Sequence, residues 1–109
     1  MARMARVVIP NLPHHVTQRG NRRQDVFFSD NDYRHYLDLL SHHAEEAGTE
    51  VWAYCLMPNH VHLILVPDDE QGLHNALQET HRRYTRHINI QKGWKGYLWQ
   101  GPFASCPMD

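Results

Sequence analysis

Polar and apolar side chains alternate near the start of the chain, over residues 14–19. A period of two residues is typical of a β-strand whose two faces meet different surroundings. Gly20-Asn21 follows directly, and such a pair commonly ends a strand. We therefore predict a first strand over residues 14–19, which separates two sets of side chains: His14, Val16 and Gln18 on one face, and His15, Thr17 and Arg19 on the other.

Two longer segments have apolar residues three and four positions apart, which predicts amphipathic helices. The first helix begins at Ser29 or Asp30 as its N-cap, carries Asp32 in its first turn, and ends at Gly48. The second spans residues 71–90, after Pro67 and three acidic residues. The predicted core stripes are Tyr33, Tyr36, Leu37, Leu40, Ala44 and Ala47 on the first helix, and Leu73, Ala76, Leu77, Thr80, Tyr84 and Ile88 on the second.

Three further segments are rich in residues that favour strands. Residues 51–57 and 60–66 flank Pro58-Asn59, a hairpin-turn signal. Residues 97–103 predict a last strand, in which Pro102 suggests an edge position or a bulge. The order β-α-β-β-α-β predicts a ferredoxin-like α+β domain, with two helices on one face of a four-stranded antiparallel sheet. The other face of that sheet stays open and is the expected place for function.

The charge distribution is uneven, although the formal net charge is only −1. Residues 1–24 hold five arginines and no acid, and residues 80–108 hold five basic residues and no acid. Residues 25–79 carry most of the acidic side chains. Two basic segments predict a surface for a polyanion if the fold brings them together. Two separate solvated surfaces are the alternative.

The remaining bulk properties indicate a single cytoplasmic domain. A length of 109 residues suits one domain. No apolar run approaches the roughly 18 residues of a membrane span, and the apolar stretch of residues 7–9 is too short for a secretion signal. The two cysteines, Cys55 and Cys106, do not make a disulfide framework.

His60 and His62 form the most informative local pattern. Residues two apart on a strand share a face and lie roughly 6.6–6.8 Å apart. Two imidazoles at this spacing can lean onto one metal ion, while Val61, Leu63 and Leu65 face the helices. The pair alone is weak evidence, because unrelated metal folds contain it. Its place directly after a turn, on the open sheet face, favours a metal site.

The sequence around this pair resembles that of insertion-sequence-200-like transposases, and most closely their REP-associated tyrosine transposase branch. The resemblance rests on four runs in the same order and spacing: YCLMPNHVHLIL over residues 54–65, HHVTQRGN over residues 14–21, RYTR over residues 83–86, and LWQG over residues 98–101. It extends over residues 10–106. The resemblance identifies the chain as a member of the one-tyrosine HUH class of transposases.

The resemblance implies a metal-dependent reaction on single-stranded DNA next to hairpins. His60 and His62 would hold Mg²⁺ or Mn²⁺ against the scissile phosphate, and both count as catalytic residues in that scheme. A tyrosine would attack, leaving a 5′-phosphotyrosine link and a free 3′-hydroxyl for rejoining. Related transposases often form homodimers, whereas the REP-associated branch can act as a monomer.

The chain departs from the family pattern at the nucleophile. The family carries that tyrosine, and usually a third metal ligand, on a helix after the last strand, whereas this sequence ends at Asp109. We therefore expect the nucleophile beyond Asp109, with Tyr84 as the fallback. Tyr84 lies on the apolar stripe of the second helix, which favours a core position. Pro102 and Ala104 also stand where similar proteins usually carry basic residues.

Basic residues in two places are candidates for DNA contact. The candidates are Arg19, Asn21, Arg22 and Arg23 at the end of the first strand, and Arg82, Arg83 and Arg86 on the second helix. Guanidinium groups bind phosphates or guanine edges, and an asparagine can bind adenine. Solvated surface is the alternative for each group. Trp94, Tyr97 and Trp99 are candidates for stacking on unpaired bases, with packing as the alternative.

Three functions are compatible with these patterns. The first is the transposase domain just described. The second is a non-catalytic DNA-binding remnant, which the missing helix favours. The third is a metalloprotein unrelated to DNA, such as a Zn²⁺ hydrolase that uses the two histidines and a water molecule.

Overall fold

A computed structural model describes residues 7–108 and has the predicted order of strands and helices. The elements are β1 (His14–Arg19), α1 (Asp30–Glu46), β2 (Thr49–Met57), β3 (His60–Pro67), α2 (Gly72–Lys92) and β4 (Ala104–Pro107). Arg3 and Arg6 of the predicted basic N-terminal segment lie outside the described residues. The ferredoxin-like α+β fold predicted from the sequence is confirmed.

The four strands form one antiparallel sheet in the order β2-β3-β1-β4. β3 and β1 are therefore central, and β2 and β4 are the edges. In the pairing of β1 with β3, His62 lies opposite Thr17 and His60 lies opposite Arg19. Because directly paired residues share a face, these four side chains belong to one side of the sheet.

The other side of the sheet carries the core. Val16 of β1 and Val61, Leu63 and Leu65 of β3 are fully buried, as the alternation predicted. The two helices cover them with the apolar stripes read from the sequence; the fully buried members are Tyr36, Leu73, Ala76, Leu77, Thr80, Tyr84 and Ile88. The sheet thus has one packed face and one open face.

Helix α1 begins where its capping signal predicted. The Ser29 hydroxyl accepts a hydrogen bond from the backbone N–H of Asp32 at 3.3 Å. Asp32 itself is fully buried, and its carboxylate accepts from the N–H of Phe28 at 2.9 Å. After the helix, Gly48 adopts a left-handed conformation with φ +61°, which suits a residue without a Cβ.

The prediction of a last strand over residues 97–103 is wrong. The strand lies further along, at Ala104–Pro107, and residues 97–103 form a loop with one isolated bridge between Gly20 and Trp99. Gly96 and Gly101 both have positive φ, and Pro102 has no N–H to donate to a strand. The loop instead inserts three side chains into the core: Leu98, Trp99 and Phe103. The spacing of these apolar residues resembles that of a strand, which explains the wrong prediction.

The six histidines of the two helices have no metal-ligand spacing in the sequence, which predicts surface positions for all of them, and the structure agrees only in part. His42 and His74 are exposed, and His35 and His87 are half-buried. His43 and His81 are buried. His81 lies against Trp99, and its Nε2 is 2.8 Å from the Tyr36 hydroxyl. Within residues 7–108, no helix combines the length and apolar character that crossing a membrane requires.

Candidate functional site

His60 and His62 share the open face of the sheet, and both side chains are half-buried. Their ring centroids are 5.0 Å apart and the ring planes are almost perpendicular. The buried Val61 between them packs beneath the sheet, so β3 fixes the spacing of the two rings. Neutral imidazole nitrogens are suitable ligands for Mn²⁺ and related divalent ions. The donor set therefore fits a cation that these two residues share.

His62 has a third imidazole as its neighbour. Nε2 of His15 lies 3.1 Å from Nδ1 of His62, because His15 stands diagonal to His62 across the β1–β3 pairing. Partial burial lowers the pKa of His62, and the nearby His60 and His15 lower it further. His62 is therefore biased towards the neutral form that can bind a metal ion.

His60 is held from the turn that precedes β3. Its Nδ1 lies 2.7 Å from the side-chain oxygen of Asn59. The side-chain nitrogen of Asn59 donates to the backbone carbonyl of Arg23 at 3.3 Å, and its own carbonyl accepts from the N–H of Gly20 at 2.8 Å. The turn between β2 and β3 and the loop after β1 are thus joined next to His60.

Two open pockets adjoin His60. One, of about 230 Å³, is lined by Arg19, Arg23, Asn59 and His60. The other, of about 510 Å³, includes both His60 and His62, together with Arg19 and Gln100. The smaller pocket sets two guanidinium groups beside one imidazole, an arrangement that is chemically suited to a phosphate group. The structure thus brings Arg19 and Arg23 of the predicted DNA-binding set to His60, and Arg19 also lines the pocket that holds both histidines.

The loop that carries the other members of this set has unusual backbone conformations. Arg22 and Arg23 have φ of +57° and +59°, values that cost a residue with a Cβ roughly 1–2 kcal/mol. The N–H of Asn21 donates to the carbonyl of Leu98 at 2.8 Å, which fixes the start of the loop. Both arginine side chains are exposed. Strain of this kind in a loop is a reason to look for function there.

The basic residues of α2 lie on the helical layer, which covers the opposite face of the sheet. Arg82 and Arg83 both pair with Glu79, at 2.8 and 3.2 Å. The hydrogen bond from Arg82 contributes most to holding the pKa of Glu79 below its usual value; desolvation opposes it, and the hydrogen bond from Arg83 adds to the lowering. Arg82, Arg83 and Arg86 are all exposed. The two groups of predicted DNA-binding residues therefore occupy different layers.

The aromatic residues proposed for base stacking divide into two kinds. Trp99 is buried and lies within 6.1 Å of Tyr36 and within 6.0 Å of Tyr84, measured between ring centroids. Trp94 and Tyr97 are exposed, Tyr97 with 88% of its surface accessible. Packing explains Trp99, whereas Trp94 and Tyr97 remain candidates for stacking.

Tyr84, the fallback nucleophile, lies in the core. Its ring is fully buried, and its hydroxyl donates a hydrogen bond of 2.6 Å to the carbonyl of Val26. Burial, with a smaller effect of the Asp32 carboxylate, raises the pKa of Tyr84 above its ordinary value. Both features oppose formation of the phenolate that attacks a phosphate.

A second histidine cluster lies on α1. Ligand atoms of His42, His43 and Glu46 all lie within 4.8 Å of one another, the only such group of three within residues 7–108. Glu46 already pairs with both rings, 3.0 Å from Nε2 of His42 and 3.3 Å from Nδ1 of His43. Among the described residues, the open sheet face has no group of three ligand atoms that lie this close together. His60 and His62 would thus supply only two ligands of an ion.

Sequence reasoning found His60 and His62 but gave their supporting residues no defined role. His15 shares the face of Thr17 and Arg19, so the alternation of β1 was the available signal for it. Asn59 was interpreted only as a turn residue. Gln100 lies in the loop of residues 97–103, which had been predicted as a strand, and lines the larger pocket. No pattern in the sequence indicated that position.

Comparisons with known proteins bear on this arrangement. Residues 8–109 match the family described as "Transposase IS200 like". A search of curated proteins gave no match. Among solved structures, the chain is similar to a REP-associated tyrosine transposase bound to a REP hairpin, with a TM-score of 0.78 and 18% identity. That similarity covers 100% of this chain and 63% of the other, so this chain spans less than two thirds of that relative.

A second solved structure, of a candidate transposase from Deinococcus radiodurans R1, has a TM-score of 0.72 and 24% identity to this chain. The similarity covers 99% of this chain and 87% of the other. At these identities, both structures show a common fold.

Proposed function

Because the chain belongs to the IS200-like transposase family, we propose that it binds single-stranded DNA next to a hairpin and places a phosphate at a divalent cation held by His60 and His62. In the complete protein this site serves strand cleavage and rejoining during DNA transposition. The hairpin part of the proposal draws support from the similar transposase that is bound to a REP hairpin.

The observation that carries the proposal is the arginine-lined pocket beside the histidine pair. Arg19 and Arg23 line the smaller pocket with His60, and Arg19 also lines the larger pocket with His60 and His62. Phosphate contacts position a strand without selecting its sequence. A strand held by these two arginines would bring a phosphate to the imidazoles. Asn21 and Arg22, in the same loop, are the residues we assign to base or further backbone contacts.

Mg²⁺ and Mn²⁺ are the ions we propose for the site. Such a cation, when bound, draws charge from the phosphoryl oxygens and orients the leaving group. Imidazole suits Mn²⁺ better than Mg²⁺, which prefers carboxylate and water ligands. His60 and His62 hold the ion, and the guanidinium groups of Arg19 and Arg23 hold the phosphate and balance its charge.

The nucleophile of the proposed cleavage is a tyrosine outside residues 1–109. Burial and the hydrogen bond to Val26 argue against Tyr84 in this role. A non-catalytic DNA-binding function of the chain is the second candidate, and the core position of Tyr84 is what favours it. A covalent adduct between this chain and a DNA strand would exclude that second candidate. Homodimer formation stays a prediction.

Binding measurements on matched double variants test the proposal. A labelled DNA hairpin with a single-stranded extension is titrated with wild type and with His60→Ala plus His62→Ala, and Mn²⁺ affinity is measured by calorimetry. The control carries His74→Ala plus Asn75→Ala, two exposed residues of α2 away from both histidine clusters. We expect the first variant to lose Mn²⁺ and the control to keep it. Unchanged Mn²⁺ and DNA binding by the first variant would refute the site.

Salt dependence separates the proposal from a metalloprotein unrelated to DNA. Phosphate contacts release counterions, so DNA affinity should fall steeply with added salt. Arg19→Ala plus Arg23→Ala should weaken binding and flatten this dependence, whereas Arg82→Ala plus Arg83→Ala should change it less, because Glu79 already pairs with that second couple. DNA affinity that is absent or independent of salt would favour the metalloprotein.

A further inference from the structure

We propose that Asn59 is a positioning residue that holds His60 in the tautomer with its hydrogen on Nδ1, so that the lone pair of Nε2 is available to a cation. The inference deepens the proposed metal site and rests on it for the cation. Its first part, the tautomer of His60, stands independently of any ion.

The hydrogen bond between the two side chains fixes where the ring hydrogen lies. Nδ1 of His60 is 2.7 Å from the side-chain oxygen of Asn59. An amide oxygen can accept a hydrogen bond but cannot donate one. The imidazole must therefore be the donor, and a neutral ring that donates from Nδ1 carries its lone pair on Nε2. Metal-binding histidines are commonly oriented in this way by a partner on the other ring nitrogen.

The orientation of the Asn59 amide is itself determined by the fold. Its nitrogen lies 3.3 Å from the backbone carbonyl of Arg23, an acceptor that only an N–H can satisfy. The opposite amide orientation would place two oxygens against each other there. The Asn59 backbone is held as well, because its carbonyl accepts from the N–H of Gly20 at 2.8 Å. Side chain and backbone of Asn59 are thus both tied to the loop after β1.

The contact with Asn59 offers an explanation for the left-handed conformation of Arg23. With φ at +59°, the residue carries a strained backbone, and its carbonyl is the one that orients Asn59. Its guanidinium lines the pocket beside His60. Arg23 therefore has two separable roles: the carbonyl acts through Asn59 on the tautomer of His60, and the side chain acts on the phosphate.

His62 differs from His60 in this respect. Its Nδ1 faces Nε2 of His15 at 3.1 Å, and either imidazole can be the donor. The tautomer of His62 can therefore change when an ion binds, whereas that of His60 is set beforehand. We therefore expect that removing the support of His60 costs more metal affinity than removing the support of His62.

The tautomer can be measured directly in the metal-free protein. Nitrogen-15 NMR of the imidazole rings, above the pH at which they protonate, shows which nitrogen of His60 carries the hydrogen. We expect Nδ1–H in the wild type and in Asn59→Asp, whose carboxylate keeps an acceptor for Nδ1 although it no longer donates to the Arg23 carbonyl. Asn59→Leu should release the ring, and Asn75→Leu, at an exposed asparagine of α2, should change nothing. A wild-type ring with its hydrogen on Nε2 would overturn the inference without any variant.

Metal affinity then tests the consequence. Loss of such a supporting partner typically reduces metal affinity about 10–100-fold, so we expect a loss of about that size in Asn59→Leu and recovery of most of it in Asn59→Asp. Arg23→Gly keeps the carbonyl and accepts positive φ without strain. It should retain the tautomer and the Mn²⁺ affinity while weakening DNA binding.

The outcomes separate the inference from the proposed function. A wild type that shows the Nδ1–H tautomer but binds no Mn²⁺ would overturn the proposed metal site and support the tautomer assignment. A wild type that binds Mn²⁺, with the same affinity in Asn59→Leu despite a changed tautomer, would overturn the positioning role of Asn59. The wild-type spectrum and Asn59→Asp keep the test decisive if Asn59→Leu does not fold.

Discussion

The imidazoles of His15 and His62 lie parallel on neighbouring strands, with ring planes 4° apart and centroids 5.3 Å apart. Burial of the His62 ring lowers its pKa, and the two neighbouring imidazoles, His60 and His15, lower it further because a positive charge on His62 is unfavourable beside them. The contact with His15 therefore favours the neutral form of His62. The chemistry of the open sheet face thus depends on His15 as well as on His60 and His62 of the sequence motif.

Removal of His15 should raise the pKa of His62. Burial lowers that pKa most, and the charges of His60 and His15 add to the effect. His15→Ala removes one of the charges and exposes the ring, so both changes favour protonation. A histidine NMR titration measures the shift, with His74→Ala as the control. A lower or unchanged pKa of His62 would contradict this account of its environment.

His81 should make the protein sensitive to acid. Burial lowers the pKa of His81 from 6.5 to about 3, so the folded state keeps the ring neutral while the unfolded chain protonates it. Its contribution to stability is complete above pH 6.5 and declines as the pH falls from 6.5 towards about 3, by roughly 1.4 kcal/mol per pH unit.

The variant His81→Gln isolates this contribution. Glutamine can keep a hydrogen bond to the buried Tyr36 hydroxyl but does not titrate. Urea unfolding at about pH 7, 5 and 4 should show that the free energy of unfolding of His81→Gln falls less with decreasing pH than that of the wild type. His74→Gln, an exposed position on the same helix, serves as the control. An identical pH dependence in His81→Gln and wild type would show that His81 does not titrate as its burial predicts.

Tyr84→Phe should reduce stability and leave the proposed formation of a covalent DNA adduct unchanged. The variant loses the hydrogen bond to the carbonyl of Val26, which costs about 1–2 kcal/mol and leaves that acceptor without this donor. Urea unfolding measures the cost. Trapping of a covalent DNA adduct provides the second measurement, and an adduct that disappears in Tyr84→Phe while the protein stays folded would identify Tyr84 as the nucleophile.

Arg22→Gly should stabilise the protein and weaken its binding to DNA. Arg22 has φ of +57°, and glycine relieves a strain of roughly 1–2 kcal/mol, offset by the greater freedom of glycine in the unfolded chain. The exposed guanidinium is lost at the same time. Thermal unfolding and DNA titration on the same preparation test both changes. A decrease in stability would show that the Arg22 side chain has a structural role.

The sequence predicted most of the fold because its signals are local. The alternation of β1 and the Ser29 cap define their elements within a few residues, and the observed boundaries agree. The exception is the last strand. Leu98, Trp99 and Phe103 are apolar because a loop buries them, and periodicity cannot distinguish a loop that packs into the core from a strand.

The candidate site was predictable only in part. The spacing of His60 and His62 follows from strand geometry, so the motif was enough to find the pair. The contact from Asn59 to Arg23 joins residues 36 positions apart, and the stacking of His15 on His62 joins residues 47 positions apart. Such contacts depend on the register between elements, which the sequence does not encode locally. The pairing of Arg82 and Arg83 with Glu79 is local, within one turn of α2, and it reduces the positive charge that the arginines alone would give this helix.

In the first part of β3, alternate residues contribute to different properties of the domain. Val61, Leu63 and Leu65 are fully buried, and truncation of Leu63 to alanine would cost about 2–5 kcal/mol. His60 and His62 contribute nothing to that apolar interior. Changes confined to His60 and His62 would therefore remove the proposed cation site and leave the domain folded, so sequence drift at these two positions would yield intact domains and not unfolded chains.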